Sequence, residues 1–178
     1  MKRTYAVVLA GLLISMEIVL TRFLSYESQF LRIGFGFLPI AVSAMIFGSV
    51  GSGSICALSD LLGVMIVLKG PFHAGLTVCA FLSGLIYGLF FYKKPRSVLR
   101  VLFAVLTINL LVDIGLKTYW LSALYNTEYL AILGQRAIKS IVMVPIQTGV
   151  IYYTWRYLGG FIESSVIPKI SFVKSTQS

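Results

Sequence analysis

Charged residues and cysteines are both scarce in this 178-residue chain. Only 12% of its residues are charged, whereas 58% are hydrophobic. About one quarter of the residues are charged in a soluble globular domain, so the composition excludes that class. The two cysteines, Cys56 and Cys79, lie inside apolar stretches without the spacing of a metal site or redox motif. We therefore expect two buried thiols and no disulfide framework.

The common catalytic and nucleotide-binding motifs are missing as well. There is no Gly-x4-Gly-Lys-Ser/Thr phosphate loop and no nucleophile elbow. The one histidine, His73, lies in a Gly/Pro turn without a companion at metal-ligand spacing. These absences argue against an ATPase, another enzyme or a metalloprotein. They predict a binding protein that needs no cofactor.

Six long apolar stretches fill the chain instead. Each approaches the roughly 20 residues that cross a hydrocarbon core about 30 Å thick at about 1.5 Å per residue. Continuous apolar runs, without strand-like alternation, exclude a transmembrane β-barrel. The predicted fold is an all-α integral membrane protein, a bundle of six transmembrane helices at about 5–24, 33–50, 52–68, 74–92, 98–120 and 133–157.

The connections predict one domain with a tail. An uncharged link of small residues at 48–54 is too short for anything but an antiparallel pair of helices. The first apolar run is too long for a signal peptide and reads as a retained span. We expect a single substrate-binding transmembrane domain at 1–158 and a flexible cytoplasmic tail at 159–178.

Basic residues outnumber acidic ones by 15 to 6, and their positions predict the topology. With both termini in the cytoplasm, nine basic residues lie inside, as the positive-inside rule expects. Four of the remaining six sit at helix ends or within apolar segments, where an ionised side chain is costly and marks a substrate path. These four are Arg32, Lys117, Arg136 and Lys139. They predict an anionic ligand that is captured from outside.

Two polar stripes are predicted to line the site. Asn109, Asp113 and Lys117 follow one another at intervals of four on the fifth helix. A second stripe runs along the sixth helix at the same depth, so facing stripes would enclose a cavity open to the outside; it consists of Arg136, Lys139 or Ser140, Met143 and Gln147. The alternative is that Asp113 and Lys117 form only an intrahelical ion pair that neutralises both groups.

Other intramembrane residues have a structural interpretation, and for Asp60, Tyr119 and Trp120 contact with a ligand is the alternative. Asp60 is either a second ligand contact or a buried carboxylate held by neighbouring hydroxyls or a lysine. Glu17 and Arg22 are expected to pair with each other near the interface. Tyr119 and Trp120 belong to an interfacial aromatic belt or stack on a flat ligand.

Small residues at intervals of four predict close helix contacts. Ala6 and Ala10 form one such pair on the first helix, and Gly84 and Gly88 form another on the fourth. The spacing alone does not tell a contact with a partner protein from packing inside the bundle.

Four segments carry a specific resemblance. They are 31–40 (LRIGFGFLPI), 57–63 (ALSDLLG), 80–88 (AFLSGLIYG) and, on the sixth helix, 136–139 (RAIK) with 143–147 (MVPIQ). Together they resemble the folate-specific S components, the substrate-binding subunits of energy-coupling factor (ECF) transporters of Gram-positive bacteria. The resemblance extends over about 5–157.

The resemblance implies a fold, a ligand and partners. An S component is a six-helix protein of the plasma membrane that captures a vitamin from outside. It docks on a transmembrane coupling protein, which sits on two ATP-hydrolysing subunits. Ala6 and Ala10 match the Ala-x3-Ala motif with which the family contacts the coupling protein.

Folate fits the charges of this chain. The two carboxylates of its glutamate tail suit arginine and lysine. Its pterin ring presents a ring N–H beside an amine, a donor pair that one carboxylate accepts; Asp113 is the first candidate and Asp60 the second. Two alternatives are an S component for another anionic or heterocyclic vitamin, and a structural membrane protein whose buried charges pair internally.

Overall fold

The computed structural model describes residues 2–27, 32–66, 74–95, 97–125 and 129–161. Nearly all of them are helical. The described elements, in chain order, are α1 (Lys2–Ile18) with a π-helical extension (Val19–Phe23), β1 (Tyr26–Glu27), β2 (Arg32–Ile33), α2 (Phe37–Ile66), α3 (Ala74–Phe91), α4 (Val98–Thr107), a second π-helix (Ile108–Leu116), α5 (Lys117–Tyr125) and α6 (Tyr129–Phe161). The two strands form a small antiparallel sheet that the sequence analysis did not predict.

Helix α2 doubles back on itself at Gly48. The Ser43 and Ser52 hydroxyls are 2.9 Å apart, although residues nine apart on a straight helix are separated by about 13 Å. Gly48 has φ 77° and ψ −169°, a left-handed φ that a glycine adopts without steric cost. The predicted antiparallel pair is therefore confirmed, but its turn is centred on one glycine, and the rest of the predicted link is helical.

The remaining boundaries differ from the predicted ones by a few residues. The first span begins at Lys2 and ends at Phe23, and α3 ends at Phe91. The fifth helical stretch continues to Tyr125, and α6 already begins at Tyr129 and extends to Phe161. Much of the predicted outer segment 121–132 is thus helical. The predicted turn at His73 and the tail from residue 162 lie outside the described residues.

Helix α3 packs closely against the second half of α2. A Cβ at Gly84 would lie 2.7 Å from the Ser52 carbonyl oxygen, and one at Gly88 would overlap Ser49. Near the other end of the two helices, Thr77 hydrogen-bonds Asp60. The two segments are therefore antiparallel, and the Gly84–Gly88 pair serves packing inside the bundle.

Four helical stretches of the described chain are long and apolar enough to cross a membrane: Thr4–Phe23, Phe37–Ile66, Ala74–Phe91 and Val98–Leu124. These stretches make the chain a multi-pass membrane protein. The second one folds back at Gly48, so its two halves measure only about 16 and 27 Å.

The charged side chains gather toward one end of the bundle, whereas the apolar core extends along most of its length. The core takes residues from α1, α2, α3, α4, the second π-helix and α6, and the Phe91 ring is tilted against Trp155 and Tyr87, with centroid distances of 4.8 and 5.4 Å. Polar and charged side chains gather near the start of α3, the second π-helix and the start of α6. Cys56 and Cys79 are free and buried, as predicted.

Candidate functional site

The second π-helix shapes the backbone around Asp113. In this segment the N–H of Lys117 donates to the carbonyl of Val112, five residues earlier. The Asp113 carbonyl accepts hydrogen bonds from the Thr118 hydroxyl at 3.1 Å and from Arg136 Nη1 at 2.7 Å. π-Helical segments are rare in proteins overall, and those that occur often lie at functional sites. Here the segment presents a backbone oxygen to a cation on α6.

Asn109 fixes the register between the second π-helix and α6. Its side chain is buried, donates to Gln147 Oε1 at 3.3 Å and accepts from the Ser140 hydroxyl at 3.1 Å. The predicted stripes of the fifth and sixth spans therefore do face each other. Ser140 and Gln147 are about two turns apart, so Asn109 contacts α6 at two successive levels.

The side chain of Asp113 lies among three cations. Its Oδ1 accepts a hydrogen bond from Lys117 Nζ at 2.7 Å, which is the predicted intrahelical ion pair. Arg136 and Lys139 lie within electrostatic range of the same carboxylate. Among these four groups positive charge exceeds negative charge by two, because one carboxylate faces three cations. The ion pair alone therefore does not neutralise the cluster.

Tyr119 and Trp120 follow the cluster on α5. The two rings meet edge-on with centroids 5.5 Å apart. Tyr119 is 60% exposed, whereas Trp120 packs over Gly75 so tightly that a Cβ there would overlap the indole. Tyr119 is thus open to a ligand or lipid, and Trp120 joins α5 to the start of α3.

A second charged cluster joins α1, α2 and α3. Arg22, which is buried in the π-helical extension of α1, lies 3.6 Å from Asp60. The other oxygen of Asp60 accepts a hydrogen bond from the Thr77 hydroxyl at 2.9 Å. Asp60 therefore has the hydroxyl partner that one interpretation predicted, with an arginine in place of the lysine.

Glu17 belongs to the same cluster, and the sequence analysis did not single it out as a site residue. It is 6% exposed and hydrogen-bonds the Ser59 side chain. Lys117 is within its electrostatic range, which links this cluster to the one around Asp113. The signal in the sequence is a carboxylate inside an apolar span. The predicted ion pair between Glu17 and Arg22 is wrong, because Arg22 lies beside Asp60.

Two other sets of predicted residues lie apart. The backbone of Arg32 pairs with Glu27 in the small sheet, and its side chain is outside the described part. Ala6 and Ala10 are half-buried and face the same side of α1 as the buried Leu13.

Comparisons with known proteins agree with this architecture. The family model of the "ECF-type riboflavin transporter, S component" matches residues 1–160. A "Folate transporter FolT" of Clostridium novyi (strain NT) is 43% identical over 88% of this chain and 91% of its own. A "Folate transporter FolT" of Leuconostoc mesenteroides is 35% identical over 82% of each chain. A solved structure, "Crystal structure of FolT bound with folic acid", matches with a TM-score of 0.81 and 38% identity over 84% of this chain and 92% of that one.

Membrane-spanning helices with clusters of charged side chains between them place this chain in a class, the membrane-embedded solute-binding proteins. The chain belongs to the S-component family of ECF-type transporters. It is thus a substrate-binding transport subunit and not an enzyme.

Proposed function

We propose that this chain captures folate from outside the cell and delivers it inward when docked on an ATP-driven coupling module. The observation that carries the proposal is the gathering of Lys117, Arg136 and Lys139 around the Asp113 carboxylate. The glutamate tail of folate brings two carboxylates, which suit a group of basic side chains. The names of the curated relatives and the folic acid in the solved relative support the same ligand.

The tail carboxylates bind Arg136 and Lys139 in this proposal, while Lys117 holds the Asp113 carboxylate. Arginine binds a carboxylate with two parallel hydrogen bonds, and lysine contributes charge and single hydrogen bonds. Arg32, which follows the first span on the outer side, is an additional candidate for the tail. Riboflavin, which the family model names, has no carboxylate for these cations to bind.

The pterin ring binds deeper, between the polar stripes. Asp113 is the first candidate for its donor pair, because one hydrogen bond from Lys117 leaves most of the acceptor capacity of a carboxylate free. Asp60 is the second candidate. Asn109 positions α6 beside the ring, and the exposed Tyr119, with Trp120 behind it, offers an aromatic face.

The full membrane arrangement is six spans with both termini in the cytoplasm. The reversal at Gly48 supports it, since it divides α2 into two antiparallel segments. The domain covers 1–158, and 159–178 form a cytoplasmic tail. The cell is Gram-positive, and the membrane is its plasma membrane. The partners are a transmembrane coupling protein, which contacts α1 at Ala6 and Ala10, and two ATP-hydrolysing subunits.

Labelling from outside tests this topology. Lys94 and Ala123 are both exposed. Lys94 lies just before α4 and Ala123 lies near the end of α5, so the two residues are at opposite ends of the α4–α5 stretch. Cysteine at Ala123 should react with an impermeant thiol reagent added to intact cells, whereas cysteine at Lys94 should react only after permeabilisation. Background should be low because Cys56 and Cys79 are buried. Reaction of the Lys94 variant in intact cells would reverse the proposed orientation.

Titration with folate and riboflavin in detergent tests the ligand. The purified wild-type protein should bind folate and prefer it to riboflavin. Asp113→Asn should weaken folate at least about tenfold, because an amide presents a donor where the pterin also presents donors and costs roughly 1–3 kcal/mol. Thr107→Val, which removes a hydroxyl bonded to the Phe103 carbonyl on the preceding turns, is the matched control and should bind normally.

Three outcomes would change the proposal. If Asp60→Asn weakens folate and Asp113→Asn does not, the pterin ring lies against α2 and α3. If neither substitution matters, the two carboxylates are structural. If the wild-type protein binds riboflavin and not folate, the ligand assignment is wrong.

A further inference from the structure

The Glu17 carboxylate is buried and has an unused acceptor. Glu17 is 6% exposed, and its Oε2 has no hydrogen-bond partner among the described residues. Its side chain also hydrogen-bonds Ser59, which is buried too. A buried polar atom without a partner costs free energy and is uncommon in a native protein, so such an atom calls for an explanation.

Two carboxyl side chains share the cluster around Glu17. Among the described side chains of this cluster, Glu17 and Asp60 face one cation, Arg22, which lies 3.6 Å from Asp60. Asp60 also accepts from Thr77. The cluster around Asp113 has the opposite imbalance, and Lys117 lies within electrostatic range of Glu17. One region of the bundle therefore attracts carboxylates, and the region next to it attracts hydrogen-bond donors.

We propose that Glu17 is a specificity-determining residue whose Oε2 accepts a hydrogen bond from the exocyclic amine of the pterin ring. The inference rests on the proposed function, because it takes folate as the ligand. The amine has two hydrogens, and the donor pair read by one aspartate uses only one of them. Glu17 provides the acceptor for the other, and Ser59 orients its carboxylate.

The polarity of the two clusters sets the direction of the ligand. The anionic tail lies at Arg136 and Lys139. The donor-rich edge of the ring lies toward α1 and α2. Oε2 has no hydrogen-bond partner among the described residues, so the amine would provide one.

Glu17→Met tests the role of this acceptor. Methionine has a similar length, is apolar and suits the interior of a membrane protein, so the variant should fold with a melting temperature no lower than that of the wild type. Folate and its 2-desamino analogue are titrated against both proteins. Folate should bind the variant at least about tenfold more weakly, while the 2-desamino analogue should change less than about threefold. The preference for the amine is then lost.

Two further variants sharpen the test. Glu17→Gln keeps one neutral acceptor and should retain part of the preference for folate. Ser59→Ala should reduce that preference by releasing the carboxylate. Ser43→Ala is its matched control, since Ser43 is a buried serine in the same helix that contacts Ser52, and it should leave the preference unchanged.

The outcomes separate this inference from the proposed function. If the wild-type protein does not bind folate, the proposed function fails. If the wild type binds folate and Glu17→Met retains the preference for folate over the 2-desamino analogue, or weakens both ligands equally, the role of Glu17 is refuted while the function stands.

Discussion

Arg136→Ala is expected to weaken folate binding by about 30-fold or more and to leave pteroate, which lacks the glutamate tail, nearly unaffected. Removing one partner of a desolvated, hydrogen-bonded charge pair costs about 2–5 kcal/mol, because the other charge stays buried without a partner. Isothermal titration of both ligands against the purified variant measures the contrast.

The controls for Arg136 come from the same helix. Arg156→Ala removes an exposed arginine near the opposite end of α6 and should change neither affinity. Arg136→Lys keeps the charge but loses the planar fork, so it should recover only part of the folate affinity. The Arg136 side chain also donates to the Asp113 carbonyl. Equal weakening of folate and pteroate would therefore show that Arg136 supports the second π-helix and does not bind the tail.

Replacing Ala6 and Ala10 by Trp is expected to abolish folate uptake by the full transporter while folate binding to the isolated subunit survives. The small side chains let a partner helix approach closely, and an indole would hold it away. Both alanines are half-buried in the isolated chain, so part of their surface remains available. Ala10 is seven residues from Glu17, or about 10 Å along α1, which keeps the substitutions away from the charged clusters.

Val8→Trp is the matched control for this pair. Consecutive residues on a helix are rotated by about 100°, so Val8 lies opposite the midpoint of Ala6 and Ala10, and it is 65% exposed. Uptake and binding should both survive. If Val8→Trp alone blocks uptake, the other face of α1 docks on the partner. If the double variant loses binding as well, the alanines pack inside the bundle.

The sequence predicts best those contacts that are local or follow helical periodicity. Asn109, Asp113 and Lys117 recur at intervals of four, and the structure brings the first of them against Ser140 and Gln147. The sequence could not predict the π-helical geometry of 108–116, because the same residues also suit an α-helix. That geometry presents the Asp113 carbonyl to Arg136.

Partner choice among buried charges was the less predictable part. Glu17 and Arg22 are close in sequence, so pairing them was the simplest prediction. The structure places Arg22 beside Asp60, and it gives Glu17 a hydrogen bond to Ser59. Both partners come from α2, about 40 residues away in the sequence, and the fold of α2 depends on the turn at Gly48. No local pattern contains that information.

By itself the sequence determined the membrane class, the helical stretches, the buried thiols and the facing stripes of the last two spans. These properties depend on hydrophobicity and periodicity, which can be read from consecutive residues of the sequence. Only the tertiary structure decided where α2 reverses, how closely α2 packs against Gly84 and Gly88, and which charged side chains form a cluster. Such contacts join segments far apart in the chain, and they form only when close backbone packing brings those segments together.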